Sequence, residues 1–160
     1  MKNKSLAVIV TGCLLSLLFS SAAVFAGGKN WEQLVQEASA KIKEISVTQV
    51  SEDILKGKTF ILIDTRTKEE YDAAHIAKSV LIDRGVLEFK IGKSIADQNA
   101  DIVIYCRSGK RGALATMTLQ EMGYTNVKNL IGGFKSWVEA GNSVYNMHGE
   151  LLVTTYEKKE

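Results

Sequence analysis

Ile102-Val103-Ile104-Tyr105-Cys106-Arg107-Ser108-Gly109-Lys110-Arg111-Gly112 is the stretch on which the reading of the fold turns. Four consecutive apolar residues, two of them β-branched isoleucines and one a valine, suit a strand in a parallel sheet covered on both faces. A cysteine ends the run. Small and basic residues follow, and from Lys110 to Met122 the positions Ala115, Leu119 and Met122 share one helical face until Gly123 stops the helix. Gly109 and Gly112 stand where a chain leaving a strand and entering a helix must turn tightly.

The same alternation extends outward in both directions. Phe60 to Ile63, Val80 to Ile82 and Val127 to Leu130 read as further strands. Lys68 to Ala74, Val86 to Ile95 and Phe134 to Ala140, the last stopped by Gly141, read as helices. At the front, Trp31, Leu34, Val35, Ala38, Ile42 and Ile45 recur every three or four positions, predicting an amphipathic helix over Asn30 to Ile45. A short strand at Ile45 to Thr48 and a helical turn capped by Ser51 are expected next, and a strand over Leu151 to Tyr156 near the end. Strands alternating with helices predict an α/β fold with an open sheet.

The 160 residues, 46% hydrophobic and 24% charged, fit one globular domain. Lys2 and Lys4 precede an apolar run from Leu6 to Phe19 and then the small residues Ser20 to Ala23, the pattern of a secretory signal peptide, with Val24-Phe25-Ala26 at the cleavage site. Residues 1–26 are therefore read as a removed signal, and the mature chain as exported to a bacterial periplasm, with no membrane span left after cleavage. Val10-Thr11-Gly12-Cys13 resembles a lipobox, but the apolar run continues beyond it to Phe19, which argues against a lipid anchor at Cys13. Removing Lys2 and Lys4 lowers the 20 basic side chains to 18 against 18 acidic ones. That balance gives no footprint for nucleic acid.

With Cys13 in the signal, Cys106 is the one cysteine left, in a compartment where cysteines usually pair. It is a buried inert residue, a crosslink between chains, or a reactive group, and its neighbours decide. Backbone amides from Arg107 to Gly112 can curl into a positive cradle at the start of the helix, beside the cations Arg107, Lys110 and Arg111. Such surroundings favour the thiolate, the nucleophilic form. The two histidines, His75 and His148, have no cysteine neighbours at zinc spacing, so no metal site is expected.

The segments Leu62-Ile63-Asp64-Thr65-Arg66, Glu69-Glu70-Tyr71, His75-Ile76, Val103 to Arg111, Gly123-Tyr124 and Leu130-Ile131-Gly132-Gly133-Phe134-Lys135-Ser136-Trp137 resemble, in order, the landmarks of the rhodanese family. The resemblance covers roughly Ile45 to Val144. It implies a sheet of about five mainly parallel strands flanked by helices, organised as a leading helix over 27–44, the domain over 45–145 and a tail over 146–160. It also implies a thiosulfate sulfurtransferase without metal or organic cofactor, exported and single-domain. In that activity a small sulfur donor such as thiosulfate is attacked by Cys106, and a thiol, cyanide or a protein takes the sulfur on. Cys106 falls at the family's persulfide-forming position, and Arg107, Ser108, Gly109, Lys110, Arg111 and Gly112 fall at its anion-binding loop. Asp64 and Arg66 fall at the Asp-x-Arg pair, read either as a brace beneath the loop or as a salt bridge closing the strand end. His75 matches a landmark that is usually hydrogen-bonded and structural, and Phe134 and Trp137 read as core.

Two departures stand out. Ala77-Lys78-Ser79 replaces the family's Pro-Gly-Ala, which leaves open whether Lys78 brings charge to the rim, and Arg84 is a further candidate to face the site. Cysteine-dependent phosphatases and some arsenate reductases share the loop design but carry their anion-gripping arginine six positions after the cysteine. That position is Gly112 here, and the last loop arginine, Arg111, comes one residue sooner. The other reading carried forward is a non-enzymatic module that carries sulfur or binds a partner.

Overall fold

The computed structural model describes residues 28–151. The expected signal segment 1–26, Cys13, and the tail beyond Leu151 lie outside the described residues.

Five strands form one parallel sheet: β1 (Lys43–Ile45), β2 (Ile61–Asp64), β3 (Val80–Leu81), β4 (Ile102–Tyr105) and β5 (Val127–Leu130), in the order β1-β5-β4-β2-β3. Six helices flank them: α1 (Trp31–Ser39), α2 (Val47–Leu55), α3 (Lys68–Ala73), α4 (Leu87–Ser94), α5 (Lys110–Glu121) and α6 (Gly133–Glu139). A short 3₁₀ turn, Arg84–Val86, leads into α4. The α/β architecture expected from the alternating apolar runs is the one observed.

Successive residues of the central strands serve opposite cores. Ile63, Ile102, Ile104 and Val127 pack with Leu87, Ile91, Ala115 and Leu119 of α4 and α5. Leu62, Val103, Tyr105 and Leu130 pack with Val50 of α2 and Trp137 of α6. Burial on both faces is why these strands are unbroken apolar runs.

The chain passes from β2 to β3 on one side and then to β4 on the other, so the sheet reverses direction between β2 and β4. In open α/β sheets the crevice at the carboxyl ends of such neighbours is where ligands bind. Here those ends are Asp64-Thr65 and Tyr105-Cys106.

Several local expectations shift. The leading helix stops at Ser39 and its continuation forms β1, placing that strand before Ile45 rather than after it. The helix expected to begin at Ser51 begins at Val47 instead. Ser46 Oγ accepts from the Gln49 amide as its cap, while Ser51, inside the helix, donates to Asn142 Oδ1. Gly149–Leu151 (β7) pairs antiparallel with Val144–Asn146 (β6), so the strand expected from Leu151 starts two residues earlier, as part of a hairpin.

Candidate active site

Cys106 follows β4 directly and is 1% exposed. Gly109, at φ 84°, turns the loop into α5. Gly112 is the third residue of that helix, where backbone N–H groups have no partner within the helix. Its amide donates to Cys106 Sγ at 3.3 Å. The sulfur therefore occupies the place of a helix cap, at the positive end of a twelve-residue helix.

The loop is held from behind. Phe134 N–H donates to the Cys106 carbonyl at 2.7 Å, and Lys135 N–H to the Arg107 carbonyl at 2.9 Å. Because peptide groups are planar and trans, these two contacts turn the Arg107 and Ser108 amides away from α6. The contact demands glycine at 133, where a Cβ would lie 2.3 Å from the Cys106 carbonyl oxygen. At Gly112 a Cβ would lie 2.3 Å from Asn129 Oδ1.

The three loop cations have different surroundings. Arg111 donates from both terminal nitrogens to the Glu70 carboxylate, at 3.0 to 3.1 Å. Burial pushes the Glu70 carboxyl up, but the Thr67 amide and then Arg111 outweigh it and hold it below its ordinary value. Lys110 Nζ sits 4.4 Å from the centre of the Trp31 ring in α1. Arg107 and Lys110 have no carboxylate partner among the described residues. Ser108 is exposed, on the open side of the loop.

Asp64 and Arg66 form a buried, two-pronged ion pair, with Arg66 also donating to the Ala74 carbonyl at 2.7 Å. The Arg66 guanidinium lies 4.0 Å from the Phe134 ring centre, and Phe134 is the residue whose amide holds Cys106. One contact chain thus runs from β2 to the loop. Tyr105 closes the floor, its hydroxyl paired with Ser79 Oγ at 2.9 Å and accepting from Ile76 N–H. Burial first, then the Asp64 carboxylate, push its phenol far above its ordinary value, so it stays neutral.

Residues outside this assembly separate cleanly. His75 stacks on Tyr71 at 3.9 Å between ring centres, with Nδ1 against the Tyr71 carbonyl, a packing role. Lys78 lies before β3, lining a cleft with Phe60 and Gly57 at the amino ends of the strands, opposite Cys106. Arg84 is taken by Glu88 and by Thr118, well along α5. The sequence reading passed over two residues that matter here. Glu70 stood within a quoted landmark, but its partner lies 41 residues away. Asn129 is a lone amide on the apolar face of β5, 2% exposed, and that mismatch was its signal.

Residues 46–140 match the family model of the rhodanese-like domain. The chain belongs to the rhodanese-like family. It is 34% identical over 73 residues to the thiosulfate sulfurtransferase PspE of Escherichia coli strain K12, an alignment covering 46% of this chain and 69% of PspE. It is 31% identical over 101 residues, 63% of its length, to YrkF of Bacillus subtilis strain 168, whose name proposes a sulfur carrier. The chain spans about half of that relative, 54%. Among solved structures it resembles a Rhodopseudomonas palustris protein described as of unknown function, "Possible Tyrosine Phosphatase". The TM-score is 0.68 at 27% identity, over 72% of this chain and 94% of that one. Sulfur donors and acceptors are thus the partners of this rhodanese-like family in general terms.

Proposed function

We propose that this rhodanese-like chain is a thiosulfate sulfurtransferase working through a persulfide on Cys106. One observation carries the reading: Cys106 Sγ accepts from the Gly112 amide at the start of α5, in a loop whose Arg107 and Lys110 form no ion pair among the described residues. The backbone donor and the loop's cations suit an anionic sulfur donor.

The Cys106 thiolate attacks the outer sulfur of thiosulfate. A new S–S bond forms at Cys106, the donor's own S–S bond breaks, and its electron pair leaves with sulfite. An acceptor nucleophile then attacks the outer sulfur of the persulfide, and the Cys106–S bond breaks to return the thiolate, in ping-pong order. Cyanide as acceptor yields thiocyanate. The phosphatase reading suggested by the Rhodopseudomonas name is the poorer fit. Six positions past the cysteine stands Gly112, which has no side chain to grip a phosphate, and Arg111 is committed to Glu70.

The test is intact mass after incubation with thiosulfate. The wild type gains one sulfur atom and turns over with cyanide, while Cys106→Ser does neither. A gain of sulfur without turnover would favour the carrier reading instead, and turnover by Cys106→Ser would overturn the mechanism. We further propose that the chain works after export, on the strength of the Lys2/Lys4 start and Val24-Phe25-Ala26. Protein isolated from cells then begins at Gly27, and a mature chain starting at Met1 or at a lipidated Cys13 would refute this.

A further inference from the structure

Beside the sulfur-binding loop, where α1 and β1 meet it, lies a cleft of about 120 Å³. Val35 and Ser39 of α1 and Glu44 of β1 form one wall, and Ser108 and Lys110 of the loop, with Asn129 beneath, form the other. We propose that this cleft binds the ammonium and carboxylate groups of a small α-amino thiol, a cysteine-sized sulfur acceptor. The proposal rests on the sulfurtransferase reading and names its acceptor.

Two charges of opposite sign face this space, and each is steered by a neutral group. The buried Asn129 donates from Nδ2 to Glu44 Oε1 at 3.1 Å. The Trp31 ring, itself 53% exposed, holds Lys110 Nζ at 4.4 Å. An amide and an aromatic face orient a charge without cancelling it. Three other charged pairs near this sheet are closed: Lys128 with Asp101, Arg111 with Glu70, Arg84 with Glu88. Glu44 and Lys110 form no ion pair among the described residues.

A carboxylate and an ammonium across one cleft, with the Ser39 and Ser108 hydroxyls nearby, complement a zwitterion better than a simple anion or cation. The cleft has room for the backbone end of one amino acid. Its loop wall is the Ser108–Lys110 segment, which begins two residues after Cys106, and in the proposed complex the ligand's side chain extends from there toward that residue. Trp31, Val35, Ser39 and Glu44 all precede residue 46, where the family match begins. One wall of the cleft therefore lies outside the part of the chain that the family match covers. In the transfer step the acceptor thiolate forms a bond to the outer persulfide sulfur as the Cys106–S bond breaks, the electron pair returning to Cys106. The product is an amino-acid persulfide.

The experiment measures kcat/KM with persulfidated wild-type protein and Glu44→Gln, using cysteine, 3-mercaptopropionate (which lacks the amine) and cyanide as acceptors. The two thiols differ in intrinsic reactivity, but that difference is the same for both proteins and cancels in the comparison. Normalising each to cyanide in the same preparation removes any effect on folding. The cysteine to 3-mercaptopropionate ratio falls about tenfold in Glu44→Gln, the size expected for a lost charge-assisted contact. A second arm needs no variant: serine, cysteine without its sulfur, competes with cysteine in the wild type, and N-acetylserine does not. An unchanged ratio, or no inhibition by serine, overturns the subsite while leaving the sulfurtransferase reading intact. Absence of thiosulfate:cyanide turnover by the wild type overturns both.

Discussion

Replacing Arg111 with alanine asks whether this guanidinium grips the donor or shields it from a carboxylate. Both of its terminal nitrogens are already given to Glu70, whose position is fixed independently by the Thr67 amide at 3.2 Å. Truncation therefore removes a cation and uncovers an anion. The two side chains are 38% and 29% exposed, so the field between them and the loop is screened by water but not abolished. At a separation on the order of 8 Å and an effective dielectric of about 40, a bare carboxylate costs about 1 kcal/mol per unit of donor charge. For the thiosulfate dianion that is about 2 kcal/mol, or roughly thirtyfold in kcat/KM. The matching double variant, Arg111→Ala with Glu70→Gln, removes both charges and returns to within about threefold of wild type by the same reckoning. Steady-state thiosulfate:cyanide kinetics read all three proteins, and alkylation by neutral iodoacetamide serves as a charge-blind control. In about 1 M salt, where the screening length is about 3 Å, the penalty of the single variant shrinks. If the double variant is as impaired as the single one, Arg111 contacts the donor directly and the shielding argument is wrong. The same pair carries a pH signature. Since the Glu70 carboxyl is held below its ordinary value, its stabilisation is present above the ordinary carboxylate range and lost as pH falls through the lowered value.

Two further outcomes follow from backbone geometry. Gly112→Ala drives a Cβ to 2.3 Å from Asn129 Oδ1, and overpacking of this kind costs about 1 to 3 kcal/mol. Thermal unfolding shows the loss, and adding Asn129→Ala recovers part of it. A Gly112→Ala protein that melts like wild type refutes the tight contact. Lys78 holds φ 59°, a left-handed conformation that strains any side chain, so Lys78→Gly stabilises the fold by up to about 1 kcal/mol in urea titration. A lower urea midpoint would show that the lysine side chain supplies more than the strain removes.

Most of the sheet was legible because a strand buried on both faces has to be apolar at every position, as in Ile102 to Tyr105. The loop was legible because glycine and cation spacing are local properties, and Gly109 and Gly112 stand where the turn into α5 needs them. What escaped were facts that depend on which distant segment lies alongside. Ser46 and Ser51 are equally good caps by type, and only the docking of α2 selects Ser46 and sends Ser51 to Asn142. Trp31 fits an apolar helical stripe, yet it is half exposed, and Lys110, from another helix, lies over its ring. Arg111 read as a free cation because Glu70 lies 41 residues before it. The left-handed turn at Lys78 shows in sequence only as a lysine standing where the resemblance calls for glycine.

The strand order also sets an assembly sequence. Lys43 of β1 pairs with Lys128 of β5, so the first strand of the sheet finds its partner only in the last. A chain that emerges amino end first, from a ribosome or through a membrane pore, keeps that edge unpaired until Val127 to Leu130 has arrived. Joining such remote segments is the slow part of forming a parallel sheet. Phe134 and Lys135, whose amides hold the cysteine loop, also arrive after Leu130, and Glu44, carried on β1, comes to rest against Asn129. The cysteine loop and the edge strand beside it are thus both completed by the same late stretch of chain.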